Sequence, residues 1–217
     1  LIFMAPFSLY SSARIYNSST QQLILLRQFN FNLFNTPLSE IDTYEMEYPN
    51  ISETTIPLKT FKGIFYLKAG KIKKAIDLFR KGKKENPYMM INDTYLGLAY
   101  HKLNEKDSSL FYSKKAFKIE PNNIAHFAHY VVSLAMHSDT LEIKNAYNKI
   151  RKIRKEPEVD QVYYLAMANL LDKNDSRQFI ENTAMNLLES NETDDIIRTN
   201  LYVLEYGRAK VIEADIL

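Results

Sequence analysis

The chain has 217 residues, a net charge of +2 and no cysteine. Its hydrophobic content of 46% and charged content of 25% are ordinary for a folded protein. The absence of cysteine excludes disulfides, thiol catalysis and cysteine–zinc sites. Five glycines are too few for phosphate-binding loops, and no hydrolase, metalloprotease or dinucleotide motif occurs. The sequence therefore predicts no catalytic residue, no metal and no cofactor.

The first segment, 1–10, is apolar apart from Ser8. It is about half as long as a helix that crosses a bilayer, and it lacks the basic start of a signal peptide. Two interpretations stay open: the segment is the end of a membrane span, or it packs on the rest of the chain. Residues 11–55 predict N-terminal capping helices, one over 11–34 and a short acidic one over 38–47.

An apolar stripe supports the longer of these two helices. Its members are Leu23, Leu25, Leu26, Phe29 and Leu33. The polar residues Arg14, Gln21, Gln22 and Arg27 are expected on the other faces of the helix.

Three pairs of residues recur at a spacing of 34: Gly63 and Gly97, Tyr66 and Tyr100, Pro87 and Pro121. This period is typical of helix-hairpin repeats. The predicted fold is all-α, a right-handed α-solenoid of stacked antiparallel helix hairpins with capping helices at both ends. The repeats span 56–190, with clear members at 56–89 and 90–123 and degenerate members at 124–157 and 158–190. A capping helix and an acidic tail are expected over 191–217.

The two clear repeats resemble the tetratricopeptide repeat family. The first repeat supplies Gly63, Tyr66, Gly70, Ala75, Phe79 and Pro87, and the second supplies Leu96, Gly97, Tyr100, Ser109, Ala116 and Pro121. Three residues depart from the family pattern: Lys62 replaces leucine, Gly82 replaces alanine and Ser113 replaces an aromatic. We expect these departures to loosen the packing.

The resemblance implies a concave groove that binds a protein or peptide. The matching positions are Thr60, Ile64, Lys68, Thr94, Leu98, His101, Lys102, Val132 and Met136. The family's clamp for a C-terminal carboxylate is absent, and Ile64, Leu98 and Val132 predict an apolar floor. Either an apolar partner helix lies on this floor, or the chain's own segment 20–34 fills it.

Charge is distributed unevenly, because residues 56–90 carry ten basic and two acidic side chains. The predicted basic patch consists of Lys71, Lys73, Lys74, Arg80, Lys81, Lys83 and Lys84. Such a patch either is a solvated helix face or binds an anionic partner. It has no interleaved aromatics for base stacking, so nucleic acid is not the expected partner. His126 and His129 share a predicted helix face, where we expect polar contacts between helices.

The order of segments also resembles the extracytoplasmic tetratricopeptide tail of bacterial O-antigen ligase or polymerase-type membrane proteins. The resemblance rests on the apolar start, Tyr48-Pro49-Asn50, the entry at 54–57 and the stretch 121–127. It implies a non-catalytic tail that supports glycan assembly, with membrane attachment through residues before Leu1. A membrane-tethered periplasmic location is then favoured over a cytoplasmic one. The first hypothesis is a protein-binding scaffold, and the tail is its alternative.

Overall fold

The computed structural model describes residues 4–171, 173–190, 197, 198, 200, 201, 203 and 204. Regular secondary structure in these residues is helical, apart from an isolated antiparallel bridge between Ile51 and Pro57. The chain forms two compact units, Leu1–Glu105 and Lys106–Leu217, which we call the N-terminal unit and the C-terminal unit. The predicted all-α class is confirmed. The capping helix and tail predicted over 191–217 lie largely outside the described residues.

The N-terminal unit contains five helices among its described residues. They are α1 (Met4–Asn30), α2 (Leu38–Ile41), α3 (Leu58–Lys68), α4 (Ile72–Glu85) and α5 (Ile91–Lys102). Helix α3 packs on α4, α4 packs on α5, and α1 and α2 both contact α3. The predicted first hairpin is therefore α3 with α4, and the N-terminal helices lie against its first helix.

Helix α1 is longer at its start and shorter at its end than the helix predicted over 11–34. Proline is tolerated in the first helical turn, so Pro6 does not prevent an early start. The helix ends at Asn30 because Asn32 (φ 52°) and Phe34 (φ 46°) adopt left-handed backbone. None of the helices in the described part of the chain is long and apolar enough to cross a membrane.

The buried face of α1 also differs from the predicted stripe. Leu25 is buried, but Leu23 is 63% exposed. The buried positions include the polar residues Ser18 and Gln22, and the Gln22 amide donates a hydrogen bond to the Ser18 hydroxyl. An amide and a hydroxyl one turn apart satisfy each other, which lowers the cost of burying both.

The short helix predicted over 38–47 ends at Ile41, so its predicted extent was wrong. Tyr44 and Met46 are both buried, although they are two residues apart. Residues at this spacing point to the same side of an extended chain and to different sides of a helix. Burial of both side chains against α3 therefore requires the chain to leave the helix.

Two glycines shape the first hairpin as predicted. Gly70 makes the turn between α3 and α4 with φ +74°, a conformation that other residues rarely adopt. Gly63 lies where the helices cross, since a Cβ atom there would stand 2.6 Å from Cε1 of Phe79. The missing side chain allows the Phe79 ring to pack directly on the backbone of α3.

The third glycine of this hairpin, Gly82, does not loosen the packing, so that expectation was wrong. A Cβ atom at Gly82 would stand 2.5 Å from Oγ1 of Thr60 and 2.9 Å from Oδ1 of Asn92. The Thr60 hydroxyl donates a 2.8 Å hydrogen bond to Asn92 Oδ1, and both residues are fully buried. Gly82 therefore makes room for a polar contact between α3 and α5.

The C-terminal unit contains a second set of five named helices in its described residues. They are α6 (Lys106–Ile119), α7 (Ile124–Ala135), α8 (Thr140–Arg151), α9 (Pro157–Leu170) and α10 (Lys173–Leu188). Helix α7 contacts α6, α8 and α9, and α9 contacts α8 and α10. Its core includes the fully buried Phe127, Ile143, Ile150 and Val159. Helix α7 packs on α8 and α9 packs on α10. The repeat boundaries 124–157 and 158–190 stay a prediction.

The helix ends in this unit are set by side chains and one proline. Asn123 accepts hydrogen bonds from the first amides of α7, and Asp139 accepts one from the Glu142 amide of α8. Pro157 begins α9 instead of closing the preceding hairpin, which suits its fixed φ. Ser176 lies inside α10, where its hydroxyl donates a 2.8 Å hydrogen bond to the Ala168 carbonyl of α9.

We expect Gly82→Ala to destabilise the protein by about 1–2 kcal/mol, because the overpacking cost exceeds the gain in helix propensity. In a Thr60→Ala background, which removes the nearest atom and leaves only the 2.9 Å approach to Asn92 Oδ1, the same substitution should cost clearly less. Urea unfolding of the wild type, both single variants and the double variant measures this coupling. An equal cost of Gly82→Ala in both backgrounds would contradict the proposed contact.

Candidate functional site

The first two predicted groove residues lie inside the N-terminal unit. Thr60 and Ile64 of α3 are both fully buried. Thr60 bonds to Asn92 of α5, as described above, and Ile64 belongs to the apolar interior. A bound peptide would not reach either side chain in this conformation.

The chain's own N-terminal segment covers the neighbouring side of α3. The rings of Phe29 and Phe61 meet edge-on at 5.4 Å between centroids, and those of Phe34 and Phe65 meet at 5.1 Å. Lys68, a predicted groove residue, donates a 2.9 Å hydrogen bond to Asn32 and lies over the Phe34 ring. In this unit the contacts favour the alternative in which segment 20–34 fills the predicted groove.

The remaining predicted groove positions differ in accessibility. Thr94 is buried, and its hydroxyl donates a hydrogen bond to the carbonyl of Met90, the residue that precedes α5. Leu98 and His101 are half-buried, and Lys102 is exposed. In the C-terminal unit, Val132 is 38% exposed and Met136 is half-buried. Binding of a partner by these residues stays a prediction.

The predicted basic patch lies mainly on the outer face of α4, the side turned away from α3 and α5. Lys73, Arg80, Lys81 and Lys84 lie on this face, and all four side chains are exposed. Asp77 lies on the same face and forms a 2.8 Å ion pair with Lys81. The face therefore keeps an excess of positive charge.

The other members of the patch have different surroundings. Lys71 is exposed at the turn before α4. Lys74 lies at the edge of the outer face, with its ammonium group 4.9 Å from the centre of the Tyr66 ring. Arg80 lies on the outer face, but its long side chain reaches α5 and donates a 2.7 Å hydrogen bond to the Tyr100 hydroxyl. These contacts hold two of the cations in place beside the helix.

Lys83 forms an ion pair with Asp93 of α5, whose side chain is fully buried. A buried carboxylate needs such a partner, because the loss of its hydration is costly. Lys83 is therefore a structural residue, although sequence reasoning grouped it with the surface lysines. Asp93 lies in the first turn of α5, where acidic residues are usually exposed. The neighbouring sequence gives no sign that its side chain is buried.

A cleft of about 430 Å³ opens beside the outer face of α4. Its lining combines apolar and charged groups from the segment after α2 and from α3 and α4. The lining residues are Thr43, Tyr44, Glu45, Met46, Glu47, Lys59, Lys62, Lys74, Asp77, Leu78 and Lys81. Sequence reasoning missed this cleft, because the helix predicted over 38–47 would have placed these side chains differently.

Ion pairs within the chain neutralise two of the lysines in the cleft. Lys59 bridges Glu47 at 2.9 Å and Glu85 at 2.6 Å. Lys62 pairs with Asp42 at 2.7 Å. The positive charge that remains for a partner therefore comes from the α4 side of the cleft.

Asp42 fixes the loop after α2 onto the first hairpin. Its carboxylate accepts hydrogen bonds from Lys62 and from the Tyr66 hydroxyl, at 2.7–2.8 Å. The Lys62 ammonium group, followed by the Tyr66 hydroxyl, holds the pKa of Asp42 below its usual value of 3.8. Burial and the hydrogen bond to Asp42 raise the pKa of Tyr66. Backbone amides and Arg14 likewise lower the pKa of Glu45 from its usual 4.5.

The histidine pair does not gather metal ligands around it. His126 is buried, and its Nε2 lies 3.0 Å from Oε2 of Glu120, in the loop before α7. Within the described ranges, no group of three or more histidine or carboxylate side chains is placed to hold a metal ion.

Comparison with known proteins assigns this arrangement of helices to a class. Residues 96–123 match the tetratricopeptide repeat family. The fold is similar to TTC0263, a thermophilic tetratricopeptide-repeat protein of Thermus thermophilus, with a TM-score of 0.62 and 12% identity. That match covers 87% of this chain and 99% of the other. Among curated proteins, no sequence matches.

Two structures of MamA are also similar in fold. MamA of AMB-1 gives a TM-score of 0.54 at 14% identity, with 85% of this chain and 96% of the other covered. MamA of MSR-1 gives 0.52 at 13% identity, with 94% and 98% covered. The chain therefore contains a tetratricopeptide repeat and has the α-solenoid fold of tetratricopeptide-repeat proteins, as predicted.

Domains of this fold generally serve as protein-interaction scaffolds without catalytic activity of their own. The resemblance to O-antigen ligase tails finds no support among these matches and stays a prediction.

The loop after α2 should detach from the first hairpin at low pH. A carboxyl group with a lowered pKa in the folded protein stabilises it above its usual pKa, and this contribution is lost as the pH falls through the folded value. For Asp42 and Glu45 the loss therefore begins below about pH 5. We expect the free energy of unfolding to decline there, and less steeply in Asp42→Asn.

Urea unfolding between pH 3 and pH 7 measures this dependence. Glu53→Gln, which removes an exposed carboxylate from the following loop, is the matched control. A decline that is identical in Asp42→Asn and the wild type would show that the Asp42 contacts do not fix the loop.

Proposed function

We propose that this protein is a non-catalytic scaffold that binds an acidic segment of a partner protein. The binding surface is the outer face of α4 together with the cleft beside it. The observation that carries this proposal is the exposed row of Lys73, Arg80, Lys81 and Lys84 on one helix face. Within the described helix, only Asp77 opposes their charge on that face.

The contacts of the N-terminal unit support this choice over the predicted groove. Thr60 and Ile64 are buried, and Lys68 donates a hydrogen bond to Asn32 of the N-terminal segment. The outer face of α4, in contrast, is accessible over the length of the helix. The walls of the cleft include the edges of Tyr44, Met46 and Leu78, which are otherwise buried, so a partner meets a small apolar recess beside the charged row.

The nature of the charged groups favours a peptide over a nucleic acid. The exposed row contains three lysines and one arginine but no exposed aromatic side chain on which a base could stack. Flexible lysines attract acidic segments over a range of about 10 Å at moderate salt, without demanding one geometry. The expected partner is an acidic segment with a few apolar anchors.

A second candidate surface lies in the C-terminal unit. Val132 of α7 is 38% exposed and Met136 is half-buried, so an apolar partner helix remains a candidate ligand there. The alternative assignment is an extracytoplasmic tail of a glycan-assembling membrane protein, attached through residues before Leu1. This alternative concerns where the scaffold is located, and the two proposed binding surfaces are the same under it.

The charged row is tested by reversing two of its members, Lys73→Glu and Lys84→Glu, together. The ligand is a fluorescein-labelled peptide of alternating glutamate and leucine, and the measurement is fluorescence anisotropy at low and at about 0.5 M salt. We expect about tenfold weaker binding at low salt, because each reversal replaces attraction with repulsion. High salt should weaken binding of the wild type to a similar extent.

A matched control reverses Lys152 and Lys155, which are exposed after α8 in the C-terminal unit. This variant has the same net charge but keeps the α4 row intact. Equal loss of binding in both double variants would show that net charge alone attracts the peptide. Lys83 is excluded from the test, because its reversal would disturb the buried Asp93.

A further inference from the structure

The outer face of α6 in the C-terminal unit repeats the cations of the outer face of α4. Three members of the α4 row have lysine counterparts 34 residues later in the chain. The pairs are Arg80 and Lys114, Lys81 and Lys115, and Lys84 and Lys118. A period of 34 residues gives equivalent residues the same position in successive helix hairpins. A binding surface on α4 is therefore expected to have an equivalent on α6.

The three lysines share one side of α6 with an exposed aromatic ring. Measured around the helix axis, all three are turned from Phe111 by about 60° or less. The buried residues on the other side, which include Ser109 and Ala116, are turned from it by about 140–160°. Lys114 and Lys118 are exposed, and the third lysine is half-buried. This side of α6 thus points away from the interior of the C-terminal unit.

Helix α8 adds a fourth cation at the end of this face. Lys149, which is exposed, follows Lys115 by another 34 residues. Its ammonium group lies 5.6 Å from the centre of the Phe117 ring of α6. Because Phe117 directly precedes Lys118, the charge of Lys149 lies beside the end of α6 that carries the lysines.

The aromatic ring on this face stands where α4 has an acid. Phe111 is the counterpart of Asp77 and is 64% exposed. The rings of Phe111 and Tyr112 meet edge-on, with 5.1 Å between their centroids. An exposed ring one turn from the lysines offers an apolar contact to a ligand that carries both carboxylates and apolar side chains.

One difference makes the face of α6 less positive than that of α4. Asp107, the only acidic residue within α6, is the counterpart of Lys73. Its carboxylate is fully exposed, and its Oδ1 lies 3.8 Å from Nε2 of His137. We therefore expect the face of α6 to bind an acidic ligand more weakly than the face of α4 does.

We infer that the outer face of α6, with Lys149 of α8 beside its end, is a second binding site for an acidic segment. The inference rests on the proposed function for the chemistry of the ligand, and on charge complementarity for the place of the site. One chain then engages two acidic segments, one on each unit.

The test uses the whole 217-residue chain with the fluorescein-labelled peptide of glutamate and leucine, and anisotropy at low salt. The starting variant is Lys73→Glu/Lys84→Glu, in which the stronger site is weakened. We expect the binding that remains in this variant to fall at least about fivefold when Lys114→Glu and Lys118→Glu are added, because both reversals repel the peptide.

A matched control adds Lys144→Glu and Lys155→Glu to the same starting variant, so the net charge is equal. Both lysines are exposed. Lys144 is turned by about 140° from Lys149 around α8, and Lys155 follows the end of that helix. We expect this control to lower the remaining binding less than twofold.

A second readout reports where the peptide binds. Because the chain has no cysteine, Asp107→Cys can carry a single benzophenone label at the start of the α6 face. Irradiation should attach the peptide to this label in the starting variant. A label at Gln178→Cys, which is exposed on α10, should attach clearly less peptide.

Two results would overturn the inference. The first is remaining binding no stronger than that of a peptide with glutamine in place of glutamate. The second is an equal loss in the α6 variant and in its matched control. If Lys73→Glu/Lys84→Glu leaves binding of the wild type unchanged, the proposed α4 surface is wrong. The same two pairs of reversals, made in the wild type, then decide the α6 site by themselves.

Discussion

The burial of helix α3 by its neighbouring helices determines how the N-terminal unit is packed. A helix hairpin cannot bury its apolar faces by itself, so each repeat depends on its neighbours. Helix α3 is the extreme case, with eight of its eleven residues buried. Helix α4 packs closely on α3 at Gly63. Helix α5 contacts α3 through the hydrogen bond between Thr60 and Asn92, and α1 contacts it through the rings of Phe29 and Phe61. Each buried large apolar side chain contributes about 1.5–3 kcal/mol, so no isolated part of this arrangement has the stability of the whole.

This enclosure determines which surfaces remain for partners. Because Thr60 and Ile64 are buried and the N-terminal segment packs on α3, the binding surface that we propose for this unit is the exposed outer face of α4. The same covering explains the loop after α2. Its carboxylates pair with Lys62 and Arg14, and its apolar side chains pack on the hairpin. The cleft is the space left between this loop and α4.

Helix α1 has two different halves. Its second half is part of the interior of the N-terminal unit, where Leu25 is buried and the Phe29 ring packs on Phe61. Its first half exposes several apolar side chains, among them Phe7 and Leu9. The boundary between the halves lies near Ser18, the first buried residue of the helix among its described side chains.

The repeats and turns were determined by the sequence itself, because they depend on local and periodic features. The turn glycine Gly70 and the capping Asp139 act within a few residues of the chain, and the 34-residue spacing of Gly63 and Gly97 is a periodic feature. Tertiary structure alone decided the role of Gly82, the burial of Asp93 and the end of α2 at Ile41. Each of these depends on an atom contributed by another helix. Periodicity shows which side of a helix is apolar, but it does not show what covers that side or which polar group the covering helix brings with it.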